Sequence, residues 1–276
     1  MSNLRAKDDV VFKMVFGQQK YDKLLISLLN AILDLPIEKR ITSVKMIGEY
    51  RLGKSFKKDK VAILDIKAID SNNSRINIEI QLRNEYNISK RTLFYWSKLY
   101  SEQIKEGVLY PKLTKTITIN ILNFKHFKTS NFHTVFHLCE DNDKELQLDE
   151  MEIHFLELPK FRKIMQDNKC SLHNWLLFID GWSEEEKSMA KKEDPIFELA
   201  EEALDYVTSS EEVQYLHEQF QKRELDEKSN LYSAKQEGIA KGIAKGKVET
   251  ARKMLVKGYN VGDICELTGL KEKDFH

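Results

Sequence analysis

The first apolar pattern in the chain is helical. Asp8 and Asp9 precede Val10, Val11, Phe12, Met14, Val15 and Phe16, and Gly17 follows. This predicts a short helix with an acidic start and a glycine stop. Residues 21–33 place Leu24, Leu25, Leu28, Leu29 and Ile32 at helical spacing, and Pro36 closes the segment. The period then shifts to two. Residues 43–47, 61–70 and 75–83 read as strands, and 87–106 as a helix closed by Gly107. Residues 114–123, 132–138 and 152–158 read as further strands. Helices follow at 171–180, where Trp175 sits among Leu176, Leu177 and Phe178 as core, at 195–207 and from Glu211 onward. The order suggests an α/β core of roughly 160–180 residues with a helical tail.

Near the end, Gly238, Gly242 and Gly246 recur every four residues with Ile, Ala and Lys between them. Each glycine weakens a helix by roughly 1 kcal/mol, so this stretch reads as a frayed or hinge-like linker. Residues 248–276 then form a small unit resembling a helix–turn–helix, with stops at Gly258 and Gly269. The organisation expected is a core over 1–185, an acidic helical segment over 186–236, and the glycine/lysine linker with its small tail over 237–276.

Composition narrows the class. The chain has 276 residues, 41% hydrophobic and 32% charged, which describes a globular chain with a charged surface. No apolar run approaches the roughly 18 residues of a membrane span, so no membrane partner is expected. Residues 1–9 carry no apolar secretory core, so a cytoplasmic location is expected. Cys139, Cys170 and Cys265 lie far apart, as reduced thiols would. Lys and Arg total 44, as do Asp and Glu, for a net charge of zero. The zero hides a gradient. Residues 1–139 sum to +11, residues 140–227 to −15 and residues 228–276 to +4. A basic N-terminal half can attract a polyanion that whole-chain neutrality would hide; a solvated acidic helix face beside ordinary basic surface is the competing reading.

The sharpest chemistry lies in two strands. From Arg75 to Arg83 every odd position is polar and every even one aliphatic. The preceding strand, 61–67, is apolar except for Asp65 and Lys67. Ser71, Asn72 and Asn73 supply a turn. With those residues as the loop, Asp65 faces Glu79, Lys67 faces Asn77 and Ile63 faces Gln81. Directly opposite residues share a face about 4.5–5.5 Å apart at Cβ. Two carboxylates so close repel unless a cation lies between them. Mg²⁺, which takes one or two carboxylates and completes its shell with water and phosphate oxygens, resolves the conflict. That is a geometry for phosphodiester hydrolysis. The alternative is a stray strand acid balanced by Lys67 or Lys60.

Several segments together resemble a known family. Asp65, a turn and Glu79-Ile80-Gln81 resemble the D…(D/E)xK motif of the PD-(D/E)xK nucleases, with Gln where those enzymes usually carry Lys. The stretches 9–17, 60–65, 79–81, 90–95, 107–110 and 153–161 follow one another as in the Rpn-type recombination-promoting nuclease/putative transposase family, a likeness covering roughly residues 5–185. The resemblance implies a restriction-endonuclease-like α/β core, with a mixed central sheet flanked by helices and an α-helical C-terminal extension. It implies a Mg²⁺-dependent DNA endonuclease, with Mn²⁺ as a substitute ion, promoting recombination or transposition-like events. Asp65, Glu79 and the carbonyl of Ile80 would hold the ion, and Gln81 would orient through hydrogen bonds. Asp9 matches an acidic position on the family's first helix, although a helix N-cap is an equal reading. Lys60, Lys67, Lys90, Arg91 and Tyr95 would contact DNA; Arg91, Tyr95 and Lys98 share one helix face.

Two other motifs are decoys. Residues 48–55 match GxxxxGK[ST] but leave no room for the helix and crossover that a phosphate loop opens. His133 and His137 are four apart in a segment that alternates like a strand, so core or surface histidines are expected. The acidic helices after residue 183 would mediate self-association or shield the basic cleft, and a homodimer would form through the helical C-terminal region. The competing function is a catalytically weak DNA-binding or interaction protein on the same fold, because Gln81 replaces Lys. A scaffold with an oligomerising tail is the third.

Overall fold

The computed structural model describes residues 4–47, 66–84, 87–104, 109–164 and 170–275. Its contacts divide the chain into two compact units, Met1–His217 and Glu218–His276.

The first unit is built on a six-stranded mixed sheet in the order β1-β2-β3-β4-β6-β5. Its strands are β1 (Val44–Met46), β2 (Ile66–Asp70), β3 (Arg75–Gln81), β4 (Thr116–Leu122), β5 (His133–Cys139) and β6 (Gln147–Glu157). The pairs β1–β2, β2–β3 and β5–β6 are antiparallel, whereas β3–β4 and β4–β6 are parallel. The helices of this unit are α1 (Asp9–Phe16), α2 (Asp22–Leu33), α3 (Ile88–Ser101), α4 (Leu158–Ile164), α5 (Ser171–Asp180), α6 (Glu184–Glu193) and α7 (Ile196–Ser209). Helix α3 is the crossover that joining parallel neighbours β3 and β4 requires. The restriction-endonuclease-like α/β architecture expected from the sequence is the architecture found.

The β2–β3 hairpin has the predicted register. Lys67 pairs with Asn77, and Ile66 with Ile78 is the last described pair. The loop, residues 71–73, closes with Asn73 in the left-handed region at φ 64°. Asn tolerates that conformation better than most residues, which suits it to a three-residue hairpin connection. Asp70 braces the turn, its Oδ1 accepting from the Asn72 and Ser74 amides at 2.9 and 2.7 Å.

Across β3 and β4 one sheet face is apolar. Ile76, Ile78, Ile80, Ile117, Ile119 and Ile121 alternate inward and are at most 5% exposed. Phe12 and Phe16 of α1, Trp175 and Phe178 of α5 and Phe197 of α7 are also buried. Phe16 meets Trp175 and Phe178 edge-on at 5.6 and 6.1 Å, and Trp175 meets Phe197 at 4.7 Å. The acidic helices thus spend one face on this unit's own core: α7 buries Phe197, Ala200, Ala203 and Val207 and packs on α1 and α2. Their acids are also paired locally. Lys187 bridges Glu184 and Glu201, Lys191 joins Glu201, and Glu186 completes a capping box with Ser183.

Three boundaries differ from expectation. Helix α3 stops at Ser101 rather than running to 106. The Gln103 side chain takes over there: its amide donates to the Thr114 carbonyl and its oxygen accepts from the Thr114 amide, both at 3.0 Å, turning the chain into β4. Gly107 lies outside the described residues. Strand β6 begins five residues early, at Gln147, because it forms a hairpin with β5. Helix α8 (Glu211–Val256) runs unbroken through Gly238, Gly242 and Gly246. Glycine lowers helix propensity without forbidding helical angles, and the Ala and Lys residues between them favour the helix.

In the second unit, the end of α8 packs with α9 (Val261–Thr268) and a 3₁₀ turn (Glu272–Asp274) around Ala251, Ile264 and Phe275. Gly258 and Gly269 end the helices at φ 85° and 68°, the left-handed stops predicted. No helix among the described residues is long and apolar enough to cross a membrane.

Trp175→Ala is expected to lower stability by about 3–5 kcal/mol, the usual loss for a large aromatic deleted from a closed core. Its Nε1 donation to Ser27 Oγ, at 3.1 Å, is lost as well. Urea denaturation followed by far-UV circular dichroism measures the change. A loss under about 1 kcal/mol would mean that the aromatic cluster is not the core of this unit.

Candidate active site

Strand β3 carries the site because its alternation separates two chemistries. The isoleucines go to the apolar face, and Asn77, Glu79 and Gln81 go to the other. The parallel neighbour β4 repeats the pattern, placing Thr118 beside Asn77 and Asn120 beside Glu79. Asn77, Glu79, Thr118 and Asn120 are all at most 2% exposed. The polar face is therefore as buried as the apolar one. Helix α3 covers it and is stitched to it by hydrogen bonds. Thr92 Oγ1 donates to Asn120 Oδ1 at 3.0 Å, and Trp96 Nε1 donates to the Thr116 carbonyl at 2.9 Å. Asn120 Nδ2 in turn donates to the His154 carbonyl at 3.1 Å.

Glu79 sits at the centre. Gln81 Nε2 donates to Glu79 Oε2 at 3.2 Å, and Asn77 Nδ2 reaches Oε1 at 3.5 Å. Arg91, in the first turns of α3, brings its Nε to 3.7 Å from Oε2, an ion-pair separation rather than a direct hydrogen bond. The Arg91 guanidinium lies over the Tyr95 ring, 5.5 Å from its centroid. This is the shared face predicted for Arg91 and Tyr95.

Asp9 approaches from α1, which touches β3. The N-cap position belongs to Asp8, whose Oδ2 accepts from the Arg5 amide at 2.8 Å. Asp9 is instead the first helical residue, and its Oδ1 is buried with no hydrogen-bond partner among the described residues. Burial, and then the charge of Asp8, push its carboxyl up to about 7, against the opposing pull of Arg91.

The remaining predicted residues are dispersed. Lys67 pairs across the hairpin with Asn77 and is half-buried. Ile80 lies between Glu79 and Gln81, with its side chain buried. Lys90 is exposed, and Lys98 meets Glu102 at 4.0 Å on the surface. Asp65, Lys60, Ile63 and the phosphate-loop-like stretch 48–55 lie outside the described residues.

The oxygens at the centre are the Glu79 carboxylate and Asn77 Oδ1, the latter buried without a hydrogen-bond partner among the described residues; Asp9 is linked to them through the charge of Arg91. Oxygen sets suit a hard divalent cation. Among the described residues no three His, Cys, Asp or Glu side chains are grouped to hold a metal.

Two polar sets were missed from sequence. Asn77, Thr118 and Asn120 carried a readable signal, because Thr116, Thr118 and Asn120 alternate with Ile117, Ile119 and Ile121 as strictly as β3 does. The second set lies on the opposite sheet face. Lys115 Nζ pairs with Glu152 Oε2 at 2.5 Å, Glu152 Oε1 meets His154 Nε2 at 2.6 Å, and His154 Nδ1 meets His133 Nε2 at 2.9 Å. Burial pushes Glu152 up, but its bonds to His154 and Lys115 outweigh this and hold it down at about 2. Burial and the neighbouring His154 push His133 down to about 4, so it is neutral at pH 7. His133 thus bonds to His154 rather than to His137, which is exposed, in keeping with the expectation of ordinary histidines.

Asp9 makes the site pH-sensitive. Its folded pKa of about 7 lies above the ordinary 3.8, so the folded protein holds a proton that the unfolded chain releases. Stability from this group is full below about pH 4 and is lost as pH rises through 7. Asp9→Asn is therefore expected to gain in melting temperature relative to the parent between pH 4 and 7, with a constant gap above 7. Thermal melts in EDTA measure it. A gap independent of pH would show that the carboxyl is not held protonated.

The family model described as PD-(D/E)XK nuclease family transposase matches residues 6–234. No curated protein and no solved structure matches the chain. The matched span covers most of the sequence and contains α1, β3 and α3, the elements that supply Asp9, Glu79 and Arg91. The chain belongs to the PD-(D/E)XK nuclease family of transposases.

Proposed function

We propose that the protein is a divalent-metal-dependent DNA endonuclease that hydrolyses phosphodiester bonds, with breaks that promote recombination or transposition-like exchange. The observation that carries this reading is Glu79, a buried carboxylate on the polar face of β3 in a chain of nuclease family membership. The hairpin register supports a role for Asp65 as the second carboxylate, since it precedes Ile66, the partner of Ile78.

Mg²⁺, or Mn²⁺ in its place, would be held by Asp65, Glu79 and the Ile80 carbonyl. When bound, it would supply Lewis-acid chemistry, neutralising phosphate charge and acidifying a water. The chain's own residues do the rest. Gln81 and Asn77 donate to opposite oxygens of Glu79 and fix the orientation of its carboxylate. Helix α3 and the Thr92–Asn120 bond close the face against bulk water. Asp9 would accept a proton or join the oxygen donors. Lys60, Lys67, Lys90, Arg91 and Tyr95 would hold the DNA strand by phosphate contact.

A second reading, a catalytically weak DNA-binding protein on the same fold, has one observation in its favour. Gln81 is neutral and already donates to Glu79, so β3 offers no cation where related nucleases usually carry Lys.

Plasmid cleavage separates the two. The wild-type chain is expected to cut supercoiled plasmid with Mg²⁺ or Mn²⁺ and not with EDTA. Asp65→Ala and Glu79→Ala are each expected to reduce cutting by at least about 100-fold. Cutting unchanged in both variants would remove the site assignment. Salt-sensitive binding without cutting would establish the second reading.

A further inference from the structure

The Glu79-Ile80-Gln81 strand lacks a positive charge, and the structure places one against it from another element. Arg91 Nε lies 3.7 Å from Glu79 Oε2, the oxygen to which Gln81 also donates. Its position is set by the helix rather than by chance. The Arg91 amide donates to the Asn87 carbonyl at 3.0 Å in the opening turn of α3. One helical turn on, Tyr95 offers its ring to the guanidinium at 5.5 Å. Deeper in the same helix, Thr92 and Trp96 bond to Asn120 and the Thr116 carbonyl, so α3 cannot shift along the sheet without breaking both. Arg91 also acts on Asp9, lowering the affinity of that carboxyl for its proton. One cation thus serves carboxylates from α1 and from β3.

A guanidinium suits this place. It stays charged at any working pH and presents five donors in a planar fork. Gln81 can orient a group by hydrogen bonding but cannot offset charge. At ion-pair distance from Glu79, the fork would also lie beside any phosphodiester brought to that carboxylate, a geometry fitted to bidentate contact with non-bridging oxygens.

We propose that Arg91 replaces, from helix α3, the strand lysine missing at Gln81, and is the fixed cation of the cleavage site rather than one more phosphate contact along the DNA track. It positions Glu79 in the resting protein and contacts the scissile phosphate during the reaction. The inference rests on the nuclease reading above and deepens it.

The test uses the full chain with Arg91→Ala, Arg91→Lys and the double variant Arg91→Ala/Gln81→Lys. Plasmid cleavage is assayed alongside Mn²⁺ affinity by electron paramagnetic resonance. Arg91→Ala is expected to lose at least about 100-fold in cleavage, the scale of removing one transition-state donor. Arg91→Lys is expected to stay within about tenfold of wild type, and the lysine at position 81 to recover at least about tenfold of the alanine loss. Mn²⁺ is expected to bind Arg91→Ala more tightly than wild type, because a competing cation has left the Glu79 carboxylate. A purely structural role would not produce the Gln81→Lys rescue. The proposal is overturned if Arg91→Ala cuts within about threefold of wild type, or if lysine at 81 restores nothing and Mn²⁺ affinity falls. Failure of the nuclease reading looks different: Asp65→Ala and Glu79→Ala then cut like wild type. If no variant cuts, Mn²⁺ affinity decides. A tighter site in Arg91→Ala supports the shared carboxylate, and an unchanged or absent one overturns it.

Discussion

A buried carboxylate governs this structure. Glu79 is 2% exposed on a strand flanked on both sides. Removing a carboxylate from water is expensive by several kcal/mol unless charge and hydrogen bonds replace the solvent. The surroundings supply the replacement in parts. Two amides from its own strand, Asn77 and Gln81, approach its oxygens, and Arg91 adds charge from α3. Each part depends on a larger feature. The amides need the strict alternation of β3, and Arg91 needs α3 seated on β4 by Thr92 and Trp96. The six isoleucines on the other side are buried where α1 meets β3, so that the polar side can be finished with imperfect contacts.

The same division of labour explains what could be read in advance. The β2–β3 register was legible because alternation and a loop of turn residues fix which side chains face each other, and the Lys67–Asn77 pair appears where that argument put it. Helices α2 and α7 were legible because each buries one stripe on the core, and α1 and α5 because their apolar runs are buried nearly all round. What stayed hidden depends on contacts distant in sequence. The 3.7 Å approach of Arg91 to Glu79 follows from the seating of α3, which no local pattern encodes. The chain Lys115–Glu152–His154–His133 draws on three strands, β5, β6 and the entry to β4, and its members look unremarkable singly. The continuity of α8 was misjudged because three glycines lower propensity, while the residues between them and the packed end at Ala251 decide the outcome.

The two polar systems, on opposite faces of one sheet, differ in how complete they are. Glu152 has both oxygens engaged, by Lys115 and His154, and is held at a low pKa. That is the signature of a structural ion pair, finished within the fold. Asp9 has a buried oxygen with no hydrogen-bond partner among the described residues and a carboxyl pushed up to about 7. Asn77 Oδ1 and Thr118 Oγ1 share that condition nearby. Unfinished polar groups weaken a fold by about 1–3 kcal/mol each, and natural sequences usually keep them where function needs them. The fold thus separates stability from chemistry by sheet face. One side carries a closed relay that steadies β4, β5 and β6. The other leaves acceptors unpaired among the described residues beside Glu79, which Arg91 approaches.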